Sequence, residues 1–167
     1  MYIFKRTQRT QGMYRICQAL SATLLTFCVT SNVFADGDRL NAPQLPAYKT
    51  ECGACHVAYP VSLLPGASWD RLMHNLPHHF GVDASLDAST QNSIRSWLEA
   101  HAGSHKKVRE EPPGDRITRS AWFVRQHSEI AQATWKRSAI KSASNCHACH
   151  AQADQGDFDE DAVRIPK

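Results

Sequence analysis

The sequence predicts a mainly α-helical fold made of two small helical domains. Three observations lead there. No alternating apolar–polar run of useful strand length appears in the 167 residues. Short stretches instead keep apolar residues at i, i+3, i+4 and i+7, each behind a residue suited to capping. A polar stretch from His105 to Gly114, with Pro112 and Pro113 in it, separates two such groups.

Residues 1–35 read as a segment removed on export. Lys5, Arg6, Arg9 and Arg15 open it, no acid precedes Asp36, and a largely apolar stretch runs from Ile16 to Phe34. Val33-Phe34-Ala35 puts small residues three before and one before the polar Asp36-Gly37-Asp38, the layout of a signal peptide cut after Ala35. A retained anchor is the competing reading, and the many Ser and Thr together with the clean cleavage site argue against it. No other apolar run nears the roughly 20 residues of a membrane span, so the mature chain is not expected to cross a membrane.

Removing 35 of 167 residues leaves 132, and it removes 4 of the 19 Lys and Arg but none of the 16 acids. The mature chain then carries 15 basic against 16 acidic side chains, a net −1. With no basic patch interleaved with aromatics, nucleic acid is not an expected partner. The expected division is a signal peptide (1–35), a first domain (36–107) and a second domain (108–167).

Within the first domain, residues 36–50, with Pro43 and Pro46, read as an irregular arm. After Cys52–His56 comes a loop with Pro60, Pro65 and Gly66. Ser68 is placed to cap a helix with Trp69, Leu72, Met73 and Leu76 on one face, and Pro77 should end it. His78-His79-Phe80-Gly81 follows on a turn. Asp87 caps the next helix, which keeps Ile94, Trp97, Leu98 and His101 on one face.

In the second domain, Ser120 caps a helix through Trp122, Phe123 and Val124 to His127. Another helical run covers Ile130–Ile140 and includes Trp135. Asn145, with Ser142 and Ser144 upstream, suits capping of a last helical turn. The tail from Asp154 to Asp161 holds five acids (Asp154, Asp157, Asp159, Glu160, Asp161), read either as a solvated surface or as a docking patch for a basic partner.

The chemistry lies in four cysteines. Cys17 and Cys28 leave with the signal, and Cys52, Cys55, Cys146 and Cys149 remain. They form Cys52-Gly53-Ala54-Cys55-His56 and Cys146-His147-Ala148-Cys149-His150, both Cys-x-x-Cys-His, the attachment signature of c-type haem. On a helical turn, positions i and i+3 share a face, so both thiols reach the two vinyl groups of one haem edge. The next residue is the i+4 neighbour of the first cysteine, and its imidazole comes up beneath the porphyrin to bind iron. A thioredoxin-like redox pair would need a βαβ context that is absent. A zinc ribbon separates its pairs by about 15–20 residues, whereas 90 residues (56–145) lie between these. Neither alternative explains a histidine after both pairs.

The sixth iron position decides between electron transfer and small-molecule binding. The one mature methionine, Met73, belongs to an apolar stripe, while His74, His78, His79, His101, His105, His127 and His147 remain after the two proximal residues. His/His ligation is therefore favoured at both irons. His101 and His105 read as structural or solvated. The His78-His79 turn and His127, which follows an aromatic pair, are the better candidates.

The sequence resembles the small dihaem cytochromes c of proteobacteria (DHC) over nearly the whole mature chain. The resemblance runs through Glu51-Cys52-Gly53-x-Cys55-His56, Ala58-Tyr59-Pro60 and Leu64-Pro65, then Trp69-x-Arg71-Leu72-Met73, His79-Phe80-Gly81 and Ala84-Ser85-Leu86-Asp87. It continues with Arg116-Ile117-Thr118, Trp122-Phe123, His127-x-Glu129-Ile130 and Lys141-Ser142-x-x-Asn145-Cys146-x-x-Cys149-His150. It implies two small haem domains, the first similar to class I cytochromes c, with closely placed haems of bis-histidine ligation. Carried over residue by residue, His56 and His150 are proximal and His79 and His127 distal, His79 serving the N-terminal haem and His127 the C-terminal one. His78 becomes the ligand if the turn shifts by one residue. The resemblance also implies redox partners: a small oxygen-binding monohaem cytochrome c and a membrane b-type cytochrome.

The expected function is a periplasmic electron relay using two haems c, with no catalytic residues. Within electron transfer, the alternative is the dihaem subunit of a periplasmic nitrate reductase. A haem peroxidase is the rival from another class; it needs an open iron and ordinarily a longer chain.

Overall fold

Proline at the first position of a helix loses nothing by lacking an N–H, and that is how the folded chain begins. The computed structural model describes residues 44–106 and 108–167. The expected signal segment, 1–35, lies outside the described residues. Helix α1 spans Pro46–Gly53, with Leu45 extended ahead of it (φ −63°, ψ 124°). The stretch expected to be an irregular arm is therefore helical from Pro46 onward, because the ring presets φ for the first turn.

After a 3-10 turn at Val61–Leu63 comes α2, Gly66–His74. It starts earlier than expected. Pro65 occupies the capping position, and Ser68 lies buried inside the first turn with its hydroxyl facing Arg71 Nη2 at 3.4 Å. The helix stops at His74, and Pro77 sits in a separate 3-10 turn, Leu76–His78. Helix α3, Ala88–His101, is capped as expected: Asp87 Oδ1 accepts the backbone N–H groups of Ser89 and Thr90, each at 3.0 Å. Beyond its end, Gly103 donates to the Leu64 carbonyl at 2.8 Å, and a Cβ there would collide with the Ser62 carbonyl oxygen. Only glycine lets the chain leave α3 against that loop.

The principal buried cluster unites these pieces: Tyr48 from α1, Val61, Leu63 and Leu64 from the loop, Trp69 and Met73 from α2, Leu76, and Ile94 and Leu98 from α3, joined by Ile117. Met73 is 3% exposed and is a core residue, as its place on the stripe suggests. Complete burial of Ile94 and Leu98 contributes about 1.5–3 kcal/mol each. Trp69 satisfies its indole by donating to the Val61 carbonyl at 2.8 Å.

The second half is lighter. Helix α4, Ala121–Gln126, is capped by Ser120, whose hydroxyl accepts from Phe123 N at 3.3 Å and donates to the Ile117 carbonyl at 2.7 Å. Helix α5 covers only Gln132–Trp135 of the expected run to Ile140. Consecutive turns replace the remainder, closing at Lys141 with φ +67°, a conformation that ends a helix. Asn145 stands before the 3-10 turn Cys146–Ala148 without capping it; its amide reaches back to the Ile140 carbonyl at 3.0 Å. No strand occurs among the described residues beyond a single bridge, His79 to Val82. Contacts cross from one half to the other. Arg71 forks onto Asp115 (2.9 and 2.6 Å) and reaches Glu111 at 2.7 Å, and Trp122 Nε1 donates to the Leu63 carbonyl at 3.3 Å.

Candidate functional site

Burial separates the nine histidines into two groups. His56, His79, His127 and His150 are half-buried, whereas His74, His78, His101, His105 and His147 are exposed. The half-buried four meet in pairs. The His56 and His79 rings face each other at 6.2 Å between centroids with 19° between planes. The His127 and His150 rings stand 6.3 Å apart at 77°.

Each ring is delivered by local structure. His56 follows the end of α1 and the first cysteine pair. His79 closes the turn after α2, where its carbonyl accepts Val82 N at 3.1 Å and the two residues between carry positive φ (Phe80 +51°, Gly81 +99°). That pattern matches a type I′ turn, which Gly81 suits and Phe80 does not. Arg116 lies over the Phe80 ring at 4.2 Å and helps hold it there. His127 ends α4 with the Phe123 ring stacked on it at 4.0 Å. His150 follows the second cysteine pair, with Phe158 at 5.3 Å. His78 lies outside the pairs, its Nδ1 3.2 Å from Asn75 Oδ1.

The spacing within each pair is compatible with one metal ion between the rings. Two imidazoles on one metal at about 2.0 Å per bond, with a ring radius of about 1.15 Å added on each side, place their centroids about 6.3 Å apart. Both pairs have that separation. Hydrogen bonding agrees. His56 Nδ1 donates to the Val57 carbonyl at 2.7 Å and His127 Nδ1 to the Phe123 carbonyl at 3.0 Å, which leaves Nε2 of each with its lone pair free. Burial, reinforced by the facing His56 and by Arg116, lowers the pKa of His79. Burial and His127 do the same at His150 against a weaker opposing pull from Asp157. A neutral ring is the form that binds a metal.

The cysteines suit attachment rather than thiolate chemistry. Burial pushes Cys52 up to about 11, with Glu51 adding to it, and pushes Cys146 up to about 11. Reactive thiols are shifted the other way. Among the described residues, no group of three or more His, Cys, Asp or Glu is placed to hold a metal ion. Both motifs open onto one cavity of about 580 Å³, whose walls include Cys55, His56, Cys146 and His147. Of the aromatic residues against the paired imidazoles, Phe123 belongs to the pair that the sequence places before His127, whereas Tyr59, Trp135 and Phe158 are not read there as neighbours of a site residue. Tyr59 and Phe158 lie in loops without periodicity.

Two Cys-x-x-Cys-His motifs, each with a pair of imidazoles beside it, point to the class of c-type cytochromes with two haems. Residues 48–158 match the family model described as dihaem cytochrome c (DHC), and the chain belongs to that family. It carries two haems c and its coarse function is electron transfer. Solved structures agree. The diheme cytochrome c of Shewanella baltica OS155 is 40% identical over 75% of this chain and 95% of its own, with a TM-score of 0.65. DHC from Rhodobacter sphaeroides is 41% identical over 71% of this chain and 100% of its own, with a TM-score of 0.61. No curated protein matches the chain.

Proposed function

We propose that the chain is a periplasmic electron relay with one bis-histidine haem in each half. In this reading Cys52 and Cys55 hold the N-terminal haem and Cys146 and Cys149 the C-terminal one. His56 and His79 ligate the first iron, and His150 and His127 the second. The observation that carries it is the iron-sized spacing within both imidazole pairs, 6.2 and 6.3 Å. Bound haem supplies one-electron exchange between Fe(III) and Fe(II).

The chain's own residues do the rest. His56 and His79 would hold one iron and His150 and His127 the other, which would leave no open site for oxygen or peroxide and makes an enzyme the weaker reading. Nitrogen ligation on both faces sets potentials below those of typical His/Met sites. The Val57 and Phe123 carbonyls accept from Nδ1 of His56 and His127 and so fix the tautomer and orientation of each ring. The expected signal segment sends the chain to the periplasm. There its partners are a donor linked to the membrane, a b-type cytochrome by family resemblance, and a soluble acceptor such as a small oxygen-binding monohaem cytochrome c. Among the described residues, no helix is long and apolar enough to cross a membrane.

Low-temperature paramagnetic resonance combined with a redox titration tests the proposal. Two low-spin ferric signals and two low potentials are expected. A high-spin signal at full haem loading, or carbon monoxide binding at both ferrous irons, would overturn it.

A further inference from the structure

We propose that Tyr59 is the positioning residue that fixes the two haem-binding segments relative to each other. This rests on the bis-histidine reading above and adds a residue to it. The Tyr59 ring stacks on His56 with centroids 4.8 Å apart and 23° between planes. Its hydroxyl crosses 85 residues of sequence to donate to the Ser144 carbonyl at 2.9 Å, two residues before Cys146. Among the described residues, no other side-chain hydrogen bond joins segment 44–60 to segment 140–150.

The base of this bridge is rigid. Tyr48, 2% exposed, donates its hydroxyl to the Tyr59 carbonyl at 2.7 Å and packs edge-on against Trp69 at 6.3 Å in the core. A continuous line therefore runs from the core through Tyr48 and Tyr59 to the backbone that leads into the second cysteine pair. The two segments it joins also wall the same cavity, with Cys55 and His56 on one side and Ser144 and Cys146 on the other.

The bond to Ser144 lies at an exposed position, where water could replace it with little loss of energy. What water cannot replace is the fixed distance between the segments. Electronic coupling between two redox centres falls steeply with separation and depends on orientation, so a tether of this kind acts on function more than on stability. The ring acts separately, lying against the face of His56 and limiting rotation of that imidazole.

Substitution in the mature dihaem protein separates the tether from the ring. Tyr59→Phe keeps the ring and removes the tether. It should load both haems, keep both low-spin, and leave the N-terminal haem's paramagnetic signal unchanged. It should lose amplitude in the Soret circular-dichroism couplet between the haems and alter the separation of the two potentials. Tyr59→Leu should change the N-terminal signal as well. A Tyr59→Phe protein with wild-type couplet and potentials overturns the proposal, and so does one that merely melts earlier. A wild-type protein without two low-spin haems overturns the ligand assignment beneath it, which is a distinguishable result.

Discussion

His56 and His127 each commit Nδ1 to a carbonyl oxygen, while the Nδ1 atoms of His79 and His150 are buried without a protein partner. Each pair thus joins one imidazole held by the backbone to one that is not. The distal members differ most. His127 is held by the Phe123 carbonyl and by the Phe123 ring at 4.0 Å, and it caps a helix. His79 sits on a turn whose next residue, Phe80, is forced to φ +51°. His150, though untied at Nδ1, adjoins a covalently attached cysteine. His79 is therefore the weakest of the four holds. In an excess of cyanide the ferric protein should lose its N-terminal bis-histidine signal first. The angles of 19° and 77° between planes make the two signals distinguishable, because perpendicular imidazoles act on both iron π orbitals alike and parallel ones do not. Titration of cyanide against the two signals checks the order; loss of the His127 signal first would contradict it.

Helix α4 shows how an element serves a ligand. It has six residues, too few for stability on propensity alone, so its cap and its packing must hold it. Ser120 is 3% exposed and satisfies two backbone groups. Ser120→Ala should cost about 1–2 kcal/mol, the upper part of the capping range because the buried Phe123 N–H loses its partner, as read by denaturant melts. This cap was legible in the sequence, and so was Asp87 at α3, because an oxygen side chain before an apolar stripe carries its own physics. Other elements were not legible. Pro46 begins a helix where an irregular arm was expected, since a preset φ can start a helix without any side-chain acceptor, and α2 starts at Gly66 behind an extended Pro65 where a cap at Ser68 was expected. The run to Ile140 breaks after Trp135 although its residues favour helix, because the chain must turn back toward the second cysteine pair. Spacing and family pattern singled out His56, His79, His127 and His150, the four that the fold half-buries and brings into pairs, whereas Tyr59, Trp135 and Phe158 beside them carry no such signal. Their placement depends on how loops close, for which a sequence of this kind has no period.

Over the whole molecule, the Arg71 fork and the shared interior hold the halves alongside the Tyr59 bridge. The Arg71 guanidinium, through its hydrogen bonds, holds the Asp115 carboxyl below its ordinary range. A lowered folded-state pKa gives stability that is present above the unfolded value of about 4 and lost as pH falls through the folded one. The melting temperature should therefore fall below about pH 4, and less steeply in Asp115→Asn, which lacks that titration. The shared interior is unequal. The main buried cluster draws on Tyr48 through Leu98 and takes Ile117, with the half-buried Trp122 against it, from beyond residue 107, while among the apolar residues after Ser120 the buried ones are Phe123, Ile140 and Ala153. So small an apolar set cannot offset the ordering cost of more than 40 residues, at about 1–2 kcal/mol each for backbone alone. The second haem must supply the missing interior. Blocking its attachment with Cys146→Ala and Cys149→Ala should unfold the region after Ser120 and leave α1 to α3 in place. Cys52→Ala with Cys55→Ala should spare the α2–α3 core, which Trp69, Met73, Ile94 and Leu98 hold by themselves. Far-ultraviolet dichroism is a poor judge here, because α1 to α3 contain 8, 9 and 14 residues against 6 and 4 in α4 and α5. Amide hydrogen exchange resolves it: protection should vanish after residue 120 in the first variant and persist around Ile94 and Leu98 in both. Equal loss across the chain would mean that the halves fold only together, with the Arg71 fork and the Tyr59 bridge binding them into one cooperative unit.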